Sequence, residues 1–229
     1  MSIASFDGAG LKHHEGVQRG LTQQNGNWLT SETAKMGDLF ENFIWLNEPN
    51  SWSVNGTSLE FTTAKSSDFW RHTHYHFVHD NGHMYGVKLC GGFTIQVRIR
   101  SNLADLYDQV GLMVRVDEAH WVKFGLEYSD GHCCLSVVVT NENSDWSMSE
   151  FHADTSDLWL RLTVAEGVVR AQVSTDGHTW PLVRLAPFTI STVYWVGPMA
   201  CSPTGTGLAV QFSELLLAPP SGKDLHDLT

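Results

Sequence analysis

Basic residues are scarce in this chain: 14 Lys and Arg stand against 25 Asp and Glu, a formal charge of −11. Nucleic acids and anionic bilayers both require a basic footprint, so neither is an expected partner, and a neutral or cationic one fits better. The acidic residues are scattered without a block, as solubility alone would have them. Also missing is any apolar run near the roughly 18 residues a membrane helix needs, and the basic-then-apolar layout of a secretory leader. The expectation is a soluble, cytoplasmic protein with no membrane association. Cysteine is sparse too, and no CxxC spacing occurs. Cys90, Cys133, Cys134 and Cys201 read as reduced, packed thiols, since Cys133 and Cys134 as strand neighbours point to opposite faces. No Asp-x-Asp-x-Asn loop of the calcium-binding kind is present, and no metal or cofactor is expected.

What is present is alternation. Residues 109–140 yield three strands whose parity survives two turns. A three-residue loop at Glu118, Ala119 and His120 would set Val114 against Phe124, Leu112 against Leu126 and Val110 against Tyr128. A tight turn at Asp130-Gly131, a pair that tolerates positive φ, would set Tyr128 against Cys133, Leu126 against Leu135 and Phe124 against Val137. One face is then wholly apolar. The other carries Gln109, Gly111, Met113, Arg115, Trp121, Lys123, Gly125, Glu127 and Ser136, with Gly111 expected across from Glu127 and Gly125 across from Met113. Two absent side chains would leave a trough on a wet face, where a ligand can approach the backbone.

The pattern recurs elsewhere. Phe93, Ile95, Val97 and Ile99 alternate with polar residues. A turn at Glu166-Gly167 would pair Val164 with Val169 and Leu162 with Ala171. Asp176-Gly177 would bring Val173 to Trp180, and Asn81-Gly82 is a further hairpin signal. At least nine strands with almost no helical periodicity imply one all-β domain, an antiparallel two-sheet sandwich. Residues 1–38 read as an irregular arm, 39–218 as the domain, and 219–229 as a fraying tail.

Several strings now occur in a recognisable order: Asp68-Phe69-Trp70-Arg71; Tyr107 through Arg115; Trp121-Val122-Lys123 with Glu127-Tyr128; Val138-Val139-Thr140-Asn141 leading to Ser144-Asp145-Trp146-Ser147; and Ser174 with Asp176-Gly177 and Trp180. Together they resemble the regulation-of-enolase family over roughly residues 39–217. The resemblance implies a jelly-roll sandwich of the concanavalin A-like lectin/glucanase type, whose concave side in the wider superfamily often accepts saccharides. It implies no settled reaction. The family name allows a regulatory role toward a metabolic enzyme. The paired-glutamate strand of the glucanase branches, Glu-x-Asp-x-x-Glu, is absent.

The expected binding surface comprises Gln109, Arg115, Trp121, Lys123 and Glu127, rimmed by Tyr107, Asp108, Asp145 and Trp146, with Trp70 and Arg71 contributed from the first string. Aromatic faces stack on sugar rings and planar polar groups bond to hydroxyls. Asp145 and Trp146 are expected on a loop at the sheet edge. The expected function is binding of a small neutral ligand, a saccharide or sugar-like metabolite. One alternative is a glycosidase using Glu127 with Asp108 or Asp145 as its second carboxylate, although Lys123 would hold Glu127 ionised rather than leave it an acid. The other is a non-catalytic regulator whose sheet face meets another protein. His72, His74 and His76, with His79 and His83 nearby, are read as packed histidines, as ligand contacts (His74) or, least favoured, as metal ligands. A two-residue turn at Asn81-Gly82 would line them along the dry face, and a three-residue loop would turn them outward. On the opposite parity lie Arg71, Thr73 and Tyr75.

Overall fold

The computed structural model describes residues 21–24, 27–30, 40 and 42–229. Among these residues no helix occurs. Strands β1 (Leu21–Gln24) and β2 (Asn27–Thr30) form a hairpin, and β3 (Ile44–Leu46), β4 (Ser51–Asn55) and β5 (Ser58–Thr62) follow. Next come β6 (Phe69–Arg71), β7 (Val78–Asp80), β8 (His83–Cys90), β9 (Phe93–Ser101), β10 (Gln109–Arg115) and β11 (His120–Ser129). Then follow β12 (His132–Asn141), β13 (Asn143–Glu150), β14 (Asp157–Ala165), β15 (Val168–Ser174), β16 (Leu182–Pro187), β17 (Val193–Cys201) and β18 (Ala209–Ala218). Two seven-stranded antiparallel sheets result, ordered β13-β12-β11-β10-β17-β8-β3 and β16-β15-β14-β9-β18-β5-β4. No described helix is long and apolar enough to cross a membrane.

The apolar parity of each strand makes the sandwich. Val110, Leu112 and Val114 from β10 and Val122, Phe124 and Leu126 from β11 meet Ile95, Val97 and Ile99 of β9 and Leu158, Leu160 and Leu162 of β14 in one core. Burying such a face is what holds two sheets together. Asp130-Gly131 turns as its residue types require, with both φ angles positive at 55° and 88°, and Tyr128 pairs with Cys133. Glu166-Gly167 does the same, and Val164 pairs with Val169. No disulfide joins any of the four cysteines.

The β10–β11 register lies two residues from the expected one. Residues 116–119 form the loop, because the Asp117 carboxylate accepts the Ala119 and His120 N–H groups at 2.8 and 2.9 Å and closes the turn around itself. Val114 therefore faces Val122, and Val110 faces Leu126. A slip of two preserves parity, so the faces stay as expected. The glycines do not: Gly111 sits opposite Gly125, Gln109 opposite Glu127, and Met113 opposite Lys123. A Cβ on Gly111 would lie 2.1 Å from the Phe124 carbonyl oxygen, and one on Gly125 would lie 2.1 Å from that of Val110. Here glycine permits close backbone approach between strands rather than opening a trough.

Three further expectations are corrected. The described part of the arm is not irregular, since it holds the β1–β2 hairpin; the rest of residues 1–38, and Leu39, fall outside the described residues. The tail is tied down: Ser221 N–H donates to Thr94 Oγ1 at 3.1 Å, Arg170 Nη1 to the Lys223 carbonyl at 3.2 Å, and Trp180 N–H to the Leu228 carbonyl at 2.8 Å. Val173 meets Pro181 rather than Trp180, because the Asp176 carboxylate gathers the His178 and Thr179 N–H groups into a wider loop. Trp180 is buried instead, with the Arg161 guanidinium 3.7 Å from its ring centroid.

The largest departure concerns the face expected to be wet. The β6–β7 hairpin crosses the outer side of the first sheet, and Phe69 and Trp70 pack there with Met84, Met113, Trp121, Val138, Met199 and Cys201 in a second apolar cluster. Asn81-Gly82 is no hairpin turn, because both N–H groups donate to the Asp68 carbonyl and close the base of β6–β7. The strand after it, β8, pairs with β17 and β3.

Gly125→Ala is expected to cost about 1–3 kcal/mol through backbone displacement. Gly222→Ala, where a Cβ meets nothing within 4 Å, should stay within about 0.5 kcal/mol of the parent. Urea denaturation of both variants checks the pair, and equal stabilities would refute the close-approach account.

Candidate functional site

The hairpin does not seal the sheet completely. A cavity of about 440 Å³ remains between them, within the size range of small-ligand sites. Its floor is Gln109 of β10, Lys123 and Glu127 of β11, and Val138 of β12, while Trp146 of β13 forms one wall. Asp68, Trp70, Tyr75, Phe77 and His79 of the hairpin segment form the other, and Ser66, Tyr107, Pro203 and Thr204 complete the rim.

Alternation explains the floor: odd-numbered residues of β10 and β11 point away from the sandwich core. Lys123 is 5% exposed, and an ammonium group this dry survives only with its donors satisfied. Its Nζ donates to the Phe69 carbonyl at 2.7 Å, Gln109 Oε1 at 2.7 Å and Asp68 Oδ1 at 3.3 Å. Burial by itself would lower the lysine, but the Asp68 and Glu127 carboxylates outweigh it and hold Lys123 above its ordinary value. Glu127 is buried as well, and its Oε2 accepts Ser136 Oγ at 2.5 Å and Trp146 Nε1 at 3.2 Å. Burial pushes the Glu127 carboxyl up, against the opposing pull of Lys123, Ser136 and Trp146. Lys123 does draw Glu127 toward its ionised form, as expected, but desolvation is the larger influence and the net direction is upward.

The walls are aromatic. Trp70 and Trp146 meet edge to face with centroids 6.0 Å apart and planes at 85°, and Trp70 meets Tyr75 at 5.8 Å and 70°. Tyr107 meets Trp146 at 6.2 Å and 73°. Tyr107 takes a φ of 66°, stabilised by donation of its N–H to the Tyr128 carbonyl at 2.7 Å. Its hydroxyl lies 3.4 Å from that of Tyr75, and this contact, reinforced by burial, pushes the phenol up to about 12.

Of the residues singled out from sequence, Glu127, Trp70, Tyr107, Gln109, Lys123 and Trp146 converge on this cavity. The others do not. Arg115 is spent on a bidentate pair with Asp80 at 2.6 and 2.8 Å, which clamps β7 to the sheet. Trp121 is buried beneath Phe69, its Nε1 donating to the Glu118 carbonyl. Arg71 turns to the Glu142 carbonyl at 3.1 Å. Asp108 points away from Glu127, accepting Ser202 Oγ at 2.7 Å and the Ala104 and Asp105 N–H groups. Asp145 pairs with Arg184 at 3.0 Å and lies, with Trp146, on edge strand β13 rather than a loop. Neither aspartate lines the cavity with Glu127.

His72, His74 and His76 sit exposed at the hairpin tip with φ angles of 57°, 64° and 58°, so neither strand placement holds and His74 lies outside the cavity. No group of three or more metal-ligating side chains is found among the described residues. Asp68, Phe77 and His79 were missed. The signal existed as a second parity in the same segment, since Tyr75, Phe77 and His79 alternate toward the cavity.

A family model described as a protein of unknown function, DUF1349, matches residues 45–220. The curated regulation of enolase protein 1 of Saccharomyces cerevisiae is 52% identical over 185 residues, 81% of this chain and 93% of that one. A crystal structure of a functionally unknown protein from Saccharomyces cerevisiae superposes with a TM-score of 0.78 at 50% identity, covering 80% of this chain and 99% of that one. A GH43 protein of Bacillus licheniformis, BlXynB, in a mutant form, superposes with a TM-score of 0.62 at 15% identity over 78% of this chain but 37% of its own, a likeness of fold alone. Matched over most of its length by the family model and by the yeast relative, the chain belongs to the DUF1349 family, that of the yeast regulation of enolase protein 1.

Proposed function

We propose that this protein binds a small molecule, a saccharide or sugar-like metabolite, in the cavity under the β6–β7 hairpin, and that it does so without catalysing a reaction. The observation that carries this reading is the cavity itself: about 440 Å³, largely aromatic on its walls, with a few polar groups gathered on the floor and at Asp68 and His79 beside it. That distribution is the usual one for a ligand site, apolar area supplying affinity and a few fixed polar atoms supplying orientation. Against hydrolysis stands the second carboxylate. A glycosidase needs a separate acid and base or nucleophile flanking the scissile bond, whereas Asp68, the other carboxylate in the cavity, is committed to the same ammonium group that faces Glu127. A regulatory role is compatible with the yeast relative's name, and ligand binding would give such a regulator its input.

Calorimetric titration with a panel of mono- and disaccharides is expected to find one saturable site. Trp146→Ala and Tyr107→Ala should each weaken it at least about tenfold, as truncation of a buried aromatic anchor does, with unchanged circular dichroism. No turnover of aryl glycosides is expected. Absence of any saccharide affinity would reject the ligand class, and turnover abolished by Glu127→Gln would reject the non-catalytic reading.

Glu127 also predicts a pH dependence. A carboxyl whose folded-state value lies above its unfolded one binds its proton more tightly in the native state, so it weakens the fold as pH rises from the unfolded toward the folded value. Glu127→Gln removes that penalty and should gain stability relative to the parent through this window, then level off. Denaturation midpoints from about pH 4 to about pH 8 test the sign; a variant that loses ground with rising pH contradicts it.

A further inference from the structure

We infer that the ligand of this cavity carries a positive charge, as a small organic ammonium group, primary or methylated. The inference rests on the binding reading above and narrows its ligand class. Three observations carry it. First, the walls form an aromatic box: Trp70, Trp146 and Tyr107 stand roughly at right angles in succession, with interplanar angles of 85° and 73°, and Tyr75 continues the turn at 70° to Trp70. Adjacent walls of a cage meet at such angles. The faces of aromatic rings are negative, and several of them around one space attract a cation most strongly when water is excluded.

Second, the floor and the adjoining Asp68 offer acceptors more than donors. All three protons of the Lys123 ammonium are directed to Asp68, the Phe69 carbonyl and Gln109, so it presents none to a ligand. Trp146 Nε1 and Ser136 Oγ are both directed to Glu127 Oε2. Asp68 Oδ1 is likewise engaged, by the Phe69 N–H and Lys123. The remaining oxygens, Asp68 Oδ2 and Glu127 Oε1, accept no hydrogen bond from the described residues. On this floor the Gln109 amide nitrogen is the donor left over, suited to a hydroxyl neighbouring the charge. An anion would meet two carboxyl groups and a spent lysine.

Third, the charge balance lacks a cation. One ammonium serves two carboxyl groups, and a carboxylate in a dry site is stabilised by a second positive charge. A bound ammonium beside Glu127 supplies it without displacing Lys123 from Asp68. The net charge of −11 draws such a ligand toward the protein at long range.

The test titrates the full chain with two matched pairs: choline against its uncharged isostere 3,3-dimethyl-1-butanol, and glucosamine against glucose, read by calorimetry and tryptophan fluorescence. In at least one pair the cation should bind at least about tenfold more tightly than its neutral partner. Tyr107→Leu and Trp146→Leu should each erase that difference, with folding checked by circular dichroism. Equal affinities within both pairs overturn the charge inference and leave the binding reading standing. Failure of all four probes to bind overturns both. A cation preference untouched by either substitution places the site elsewhere and overturns the assignment to this cavity.

Discussion

The Lys123 ammonium organises the outer face of the first sheet. It emerges from the middle of β11 into a region with almost no water, and each of its three acceptors comes from a different place: a backbone carbonyl in β6, a carboxylate just before it, and an amide on β10. A lysine on a bare sheet would extend into solvent and contribute little. Here the desolvation it suffers makes every missing partner expensive, so the ion ties the segment from Asp68 to Phe69 to one height above the sheet. The Arg115 pair with Asp80 repeats the device at the other strand of the hairpin. Between these two anchors Phe69 packs on Trp121, and the cavity is the space left where the hairpin lifts away toward Tyr75 and Phe77.

The glycines contribute to this geometry indirectly. Gly111 and Gly125 face each other across β10 and β11, while a Cβ on Gly197 of β17 would lie 2.0 Å from the Tyr85 carbonyl oxygen in β8. Close approach at several points along neighbouring strands is a means of curving a sheet, since a side chain on either partner would force the backbones apart. Gly125 borders a recess of about 10 Å³ next to Gln109, Lys123 and Glu127, too small for anything but a single water. The ligand-sized space lies above it, between the sheet and the β6–β7 hairpin.

How much of this was legible depends on the range of the interaction. The turns at Asp130 and Glu166 are local, each followed by a glycine that accepts positive φ, and both registers follow from the sequence. The loop after Arg115 is local too, yet Asp117 closes it with its own side chain, and a count of apolar parity is blind to that bond. Parity survives because the displacement is two residues. Alternation puts Trp121, Lys123 and Glu127 on the outer face of β11, but nothing within β11 states that the face is covered. The covering contacts join Asp68 to Lys123 and Asp80 to Arg115 across long stretches of chain. Asn81-Gly82 carries the composition of a hairpin turn and serves another purpose, because Asn81 Oδ1 and two N–H groups are used to close the base of β6–β7. The alternating histidines likewise occupy the reversal at its tip, where three non-glycine residues hold positive φ.

The division of labour within the cavity follows from that covering hairpin. A sheet face open to water can bind a sugar only by competing with solvent for every hydroxyl. Covered, the same face loses water, and its few charges must then be settled among themselves before any ligand arrives. Lys123 settles Asp68, and Ser136 and Trp146 engage one oxygen of Glu127. A catalytic carboxyl, by contrast, has to exchange its proton with a substrate oxygen and work against a second carboxyl free to act as base or nucleophile. Asp108 is fixed to Ser202 and a backbone turn, and Asp145 to Arg184 at the sheet edge. What the enclosed space retains is ring surface and acceptor oxygen, the combination on which the proposed binding of a positively charged group rests.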